Sequence, residues 1–130
     1  PGKGKPAVTN YEVLETLDGG HLSLVRFRLE TGRTHQIRVH AHAMGHALLG
    51  DKLYGHTDAQ FLALTRGTCP PEFPPFGFVP RQLLHAGAIA FTHPDTGAAL
   101  RLCSPFRAAF GDVEYVAKYL LPGSDGQQIL

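Results

Sequence analysis

Arg33, His35, Arg38, His40 and His42 fall within the ten residues that follow Gly32, in the string GRTHQIRVHAH. Arginines and imidazoles grouped this way at the start of a helix can hold an anion. The first backbone N–H groups and the positive end of the dipole face whatever docks there, and a guanidinium grips a phosphate or carboxylate by two parallel bonds. Arg33 is placed for such a contact. An arginine on a helix face serves equally well as a solvated or structurally paired side chain, and spacing alone leaves both roles open to Arg33 and Arg38.

His42 and His46 are four residues apart, a spacing at which two imidazoles on one helix can share zinc, with His40 or Cys69 as conceivable further ligands. The glutamate of an HExxH pattern is absent, no acidic residue adjoins these histidines, and Gly45 is expected to end the helix before His46. No metal is expected. Ser23 and Ser104 lie outside any GxSxG string, and neither GxGxxG nor GxxxxGK[ST] occurs, so nucleophile-elbow and nucleotide-loop chemistry have no support. Asp51, inside LLGDKLYG, is the carboxylate most enclosed by apolar neighbours and glycines; it reads as a turn cap bonding nearby backbone amides.

Several elements must position these residues. YEVLETL, Asp18-Gly19-Gly20 and LSLVRFRL read as a β-hairpin, since the alternation is that of half-buried strands and the glycines supply positive φ. Within 31–46 the period lengthens: Ile37, Ala41 and Met44 share one face of a short amphipathic helix that Thr31 or Thr34 can cap and Gly45 can end. ALLGDKLYG reads as a brief strand or extended segment leading into a turn, and Asp58–Thr65 as a short helix. Pro70, Pro71, Pro74, Pro75 and Pro80 forbid a long helix or a central strand over 66–80, leaving a surface loop. LLHAGAIAF, the turn at 93–97 and ALRLCSP form a second hairpin, expected to pack on the first. Phe106, Phe110, Val113, Val116 and Leu120 have the spacing of a closing helix. The fold class is therefore α+β: a mixed, mainly antiparallel sheet built from hairpins, with one short helix after the first hairpin and a C-terminal helix. One domain over 1–121 and a flexible tail over 122–130 complete the expectation.

Composition narrows the function. With 130 residues and 43% hydrophobic content the chain can form one core, and 12 Lys+Arg against 11 Asp+Glu leave a net charge of +1, so any anion site is local rather than a basic surface. No apolar run approaches the roughly 18 residues of a membrane span, and the 2 cysteines suit a reducing compartment; a cytoplasmic location is expected. The opening Pro-Gly-Lys-Gly-Lys-Pro, without an initiator Met, suggests a piece of a longer polypeptide.

Taken together, KPAVTNYEVLE, LETGRTHQIRVHAHAMGHALLGDKLYG and RQLLHAGAIAFTHPDTG, in this order and spacing, closely resemble the C-terminal half of the catalytic domain of the RluA-type RNA pseudouridine synthases, over about residues 5–107. The resemblance implies an RNA cleft, a flipped-out uridine detached from C1′ and rejoined through C5, and no metal or cofactor. It also implies an essential aspartate in an HRLD-type motif, and no such string occurs here. By position Arg38 matches the arginine that pairs with that aspartate, so its partner is expected outside this chain. Arg33, His35 and Gln36, in the same motif, are expected to shape the cleft or touch RNA phosphate. Leu84 matches an apolar position on the pocket floor, and Gly50, Asp51, Tyr54 and Gly55 match a turn beside the cleft.

The implied partners are RNA, either rRNA or tRNA, and the missing N-terminal half of the catalytic domain. Without that half the chain alone is expected to be inactive, with a sheet edge and apolar surface exposed. A non-catalytic RNA-binding or interaction module that keeps a remnant of the fold is the alternative.

Overall fold

A computed structural model of the chain describes residues 4–68, 79 and 81–105. The expected C-terminal helix, the 121/122 boundary and nearly all of the proline-rich stretch lie outside these residues. The chain divides into two units, Pro1–Gln82 and Leu83–Leu130.

In the first unit, β1 (Thr9–Leu17) and β2 (Leu22–Leu29) form an antiparallel hairpin closed by a 3₁₀ turn at Asp18–Gly20, where Gly19 and Gly20 take φ of 66° and 101°. The register runs from Thr9 opposite Leu29 to Leu17 opposite Leu22 and shifts between Val13 and Glu15, leaving Leu14 as the extra residue of a bulge. The sequence carries a trace of this. Apolar residues of β2 sit at Leu22 and Leu24, then at Val25, Phe27 and Leu29, so the apolar side changes from one face of the strand to the other opposite the bulge.

α1 (Gln36–Ala43) follows, then a series of turns over 44–56, then α2 (Asp58–Thr65). No strand forms at ALLGDKLYG: Ala47 and Leu48 carry no regular structure, and the expected turn begins already at Leu49 and Gly50. Gly50 explains why. It sits at φ 75°, turning the chain sharply, and a Cβ there would strike the Arg81 carbonyl and the Val79 side chain. α2 occupies the expected residues and begins with a capping box: the Thr57 hydroxyl accepts from the Gln60 amide at 3.3 Å while the Gln60 side chain accepts from the Thr57 amide at 2.9 Å. Both helices end in the same way. Gly45 and Gly67 at positive φ follow the last turns, and the amides of His46 and Thr68 reach back to the carbonyls of Ala41 and Ala63.

The second unit contains β3 (Ala88–Thr92) and β4 (Ala99–Cys103), an antiparallel hairpin in unbroken register from Ala88 opposite Cys103 to Thr92 opposite Ala99. His93 closes its turn, the ring nitrogen Nδ1 accepting from the amides of Asp95 and Thr96. The secondary structure is thus α+β, and each hairpin is its own two-stranded sheet.

The face of α1 that is buried differs from the one hydrophobic spacing predicts. Ala41 is buried as expected, but Met44 is 44% exposed and Gln36 takes the other buried position. The cap differs too. Neither Thr31 nor Thr34 occupies it; His35 does, at φ 54° and ψ 21°, with no side-chain cap bond. The physical reason is the Gln36 side chain. Its Oε1 accepts from the Thr31 hydroxyl and the Arg33 amide, and its Nε2 donates to the Val8 carbonyl and the Thr9 hydroxyl. Both acceptor and both donor positions of the amide are filled, so a polar group is buried at little cost and the start of α1 is tied to β1.

Candidate functional site

Two short elements carry the site: α1 and the turn that Asp51 organises. Arg38 lies on the first full turn of α1, one turn after the strained His35, and points at the Leu48–Tyr54 turn. Its Nε donates to Asp51 Oδ2 at 2.7 Å and its Nη2 to Oδ1 at 2.8 Å, a side-on fork between planar groups. The Asp51 side chain is wholly excluded from solvent, and that of Arg38 is 13% exposed. Asp51 Oδ1 also accepts from the amides of Leu53 at 2.9 Å and Tyr54 at 3.1 Å. The turn-cap reading of Asp51 therefore holds, and a second bond set is added to it.

These contacts set the ionisation. Burial by itself would push the Asp51 carboxyl up, but the Arg38 hydrogen bonds, the Tyr54 and Leu53 amides and the arginine charge outweigh it and hold the carboxyl below the usual range. The same hydrogen bonds, against the opposing pull of burial, raise Arg38. The pair is ionic.

Tyr54 completes the arrangement. The Arg38 guanidinium carbon stands 5.0 Å from the centre of its ring, within cation–π range. The Tyr54 hydroxyl lies 3.2 Å from His35 Nδ1, with the two rings edge to face, and the His42 ring is 6.1 Å away at a tilt of 37°. His56 Nε2 bonds the Asp51 carbonyl from the other side of the turn. Arg38 is left with its Nη1 side and a narrow opening to solvent; no acceptor for Nη1 is present among the described residues. A guanidinium so held can take a second anion end-on, in its own plane.

The residues marked from sequence are not all alike in placement. His35 and Arg38 come together around Tyr54. Gln36 points away, into the joint between α1 and β1, where its saturated amide has no bond left to give a phosphate. Arg33 is exposed at the entry to α1, its Nε donating to the Pro6 carbonyl at 3.4 Å. Leu84 is half-buried in the second unit, on the irregular chain before β3. His46 follows Gly45, outside the helix, and is exposed. His40 turns to β1, its Nδ1 2.9 Å from the Thr9 hydroxyl, beside a hollow of about 250 Å³ lined by Tyr11, Phe27, Ala43 and Met44.

What sequence reasoning missed is that Asp51 holds Arg38. A signal existed: Asp51 is the sole acidic residue between Glu30 and Asp58, so an arginine buried in that stretch has one local carboxylate to meet.

A family model described as RNA pseudouridylate synthase matches residues 2–43, the first hairpin and the whole of α1. "RNA pseudouridine synthase 2, chloroplastic" of Arabidopsis thaliana is 42% identical over 109 residues, covering 80% of this chain and 25% of that protein. The chain belongs to the RluA-type RNA pseudouridine synthases. "Ribosomal large subunit pseudouridine synthase D" of Zymomonas mobilis is 43% identical over 96 residues, 74% of this chain and 27% of its own. A further RNA pseudouridine synthase, from Chlorobaculum parvum, is 41% identical over 103 residues, 79% and 31% respectively. The chain thus spans about a quarter to a third of the length of these pseudouridine synthases. No helix among the described residues is long and apolar enough to cross a membrane.

Proposed function

We propose that this chain is the portion of an RNA pseudouridine synthase that presents Arg38 to a catalytic aspartate contributed from outside it, and that borders the cleft for a structured RNA, rRNA or tRNA. The observation that carries this reading is the guanidinium of Arg38: largely buried, fixed on one edge by Asp51, and without an acceptor for Nη1 among the described residues. An aspartate meeting the open edge is kept ionised by the charge and fixed in orientation by the planar group. The reaction is an isomerisation. The N1–C1′ bond of uridine breaks, the base turns, C5–C1′ forms, and the proton lost from C5 is balanced by one gained at N1. No metal or cofactor is required by that balance. The relatives named above are pseudouridine synthases by name, which supports the substrate class.

Arg33 and His35, exposed at the head of α1, then face the RNA backbone, with Arg33 as a phosphate contact. Arg38→Ala in the full-length protein lowers the single-turnover rate of pseudouridine formation by about 100-fold or more, the scale of losing an electrostatic partner at a reacting centre, while RNA affinity changes by less than about tenfold. Arg38→Lys is nearly as slow, because a point charge cannot form the fork. Arg33→Ala shows the reverse pattern, weakening binding more than chemistry. The measurements are pseudouridine by mass spectrometry and RNA binding for each variant; near-normal turnover of Arg38→Ala refutes the assignment. The 130-residue chain alone forms no pseudouridine. Full-length protein that binds RNA without converting uridine would point instead to a non-catalytic binding module.

A further inference from the structure

A turn cap needs less than Asp51 provides. Oδ1 alone receives the two backbone amides of the turn, and a neutral asparagine would serve them equally. The structure instead buries a full negative charge, which is unfavourable unless the charge is paired, and the remaining oxygen accepts from the Nε of Arg38 at 2.7 Å. The carboxylate is therefore shaped around the arginine as much as around the turn.

Its geometry fixes Arg38 in two independent ways. The side-on fork sets the direction of the guanidinium within its own plane, so that the Nη1 side points away from the turn. The same Oδ1 that completes the fork holds the amide of Tyr54, and so seats the ring that lies 5.0 Å from the guanidinium carbon and limits its tilt. One residue thereby controls both the heading and the plane of a flexible side chain that would otherwise sample many rotamers.

We propose that Asp51 is a positioning residue of the isomerisation: it clamps the inner edge of Arg38 so that the outer edge meets the reacting carboxylate in the guanidinium plane. This rests on the reading of Arg38 as the partner of that carboxylate. The arginine becomes a bridge between two carboxylates, one structural and one reactive, which explains a requirement for arginine over lysine that charge alone does not.

The test is Asp51→Asn in the full-length protein, which keeps an acceptor for the Leu53 and Tyr54 amides but loses the charge and one arm of the fork. Single-turnover pseudouridine formation at saturating RNA, well below the melting temperature, is expected to slow by about 10- to 100-fold, with RNA affinity changed less than about threefold. Because Asp51 acts through Arg38, the double variant Arg38→Ala with Asp51→Asn is expected to be within about twofold of Arg38→Ala alone, a coupling that a merely structural role would not produce. Asp51→Glu, which keeps the charge but displaces the carboxylate by one methylene, is carried through the same comparison should the Asn variant fail to fold. An active parent with an Asp51→Asn variant at the parental rate overturns the proposal alone, as does a full further loss when Arg38 is already absent. A parent that makes no pseudouridine overturns the reading of Arg38 and the proposal with it.

Discussion

The Arg38–Asp51 turn and the β3–β4 hairpin are stabilised by opposite means. In the turn, a buried charge is answered by four donors from residues within a short span of chain, and the one side-chain opening that remains lies on the guanidinium. In the hairpin the backbone ladder is complete but both strands are exposed throughout, and Ile89, Phe91, Leu100 and Leu102, which the register places on one face, remain between 36% and 58% accessible. The first region is self-sufficient because polar bonds are satisfied locally, by a few neighbours at fixed angles. The second cannot be, because apolar surface is satisfied only by being covered, and a two-stranded sheet covers nothing of its own face. Site geometry can thus be intact in a stretch of chain whose sheet faces are still open.

The contrast can be broken most sharply at Gly50. Gly50→Ala places a Cβ on the Arg81 carbonyl in a left-handed backbone, and the turn must open to accommodate it. A loss of about 2–4 kcal/mol is expected, read as a lower thermal midpoint of the full-length protein together with slowed pseudouridine formation. A variant with the parental midpoint would show that the turn is not held by its packing against Arg81.

Acid should weaken the turn before it touches the hairpin. Asp51 is held below its ordinary range in the folded state, so its contribution to stability is present above the unfolded carboxyl value and is lost as pH falls through the folded one. Stability of the parent is therefore expected to decline below about pH 4, the ordinary aspartate range, more steeply than that of Asp51→Asn, as followed by denaturant titration at stepped pH. Equal slopes would mean that the pair contributes no linkage.

The smallest effect belongs to the hairpin. Ile89→Ser on a 58% exposed side chain is expected to change the stability of the 130-residue chain by less than about 0.5 kcal/mol, measured by thermal denaturation. A loss of about 1–2 kcal/mol in the full-length protein would show that residues outside this stretch of chain cover this face.

Much of this arrangement is legible in the sequence, and the exceptions share a cause. Both hairpins follow from alternation and turn glycines, α2 from its boundaries, and the end of α1 from Gly45, because each of these signals is local. The cap of α1 is not, since Thr31 looks like a cap until Gln36 reaches back to occupy it. Counting apolar residues selects Met44 for the core and cannot see that a fully bonded glutamine is buried in its place. The motif singles out Arg38, but its bond to Asp51 spans thirteen residues and two elements, and no periodicity links them. The bulge at Leu14 was visible only as a change of apolar parity in the opposite strand.

The exclusion of the Asp51 carboxylate from water has a consequence for ionic strength. At about 0.5 M salt the Debye length falls to roughly 4 Å, and contacts between exposed groups such as Arg33 and a phosphate fade. A pair whose carboxylate no ion can approach is spared. On the proposed reading, raising salt should therefore strip RNA from the protein without disturbing Arg38: the RNA concentration needed for half-saturation climbs, while the rate of the bound complex, once saturated, holds. Salt becomes a dial that turns binding alone, and it lets the grip on the substrate be weighed apart from the arrangement that acts on it.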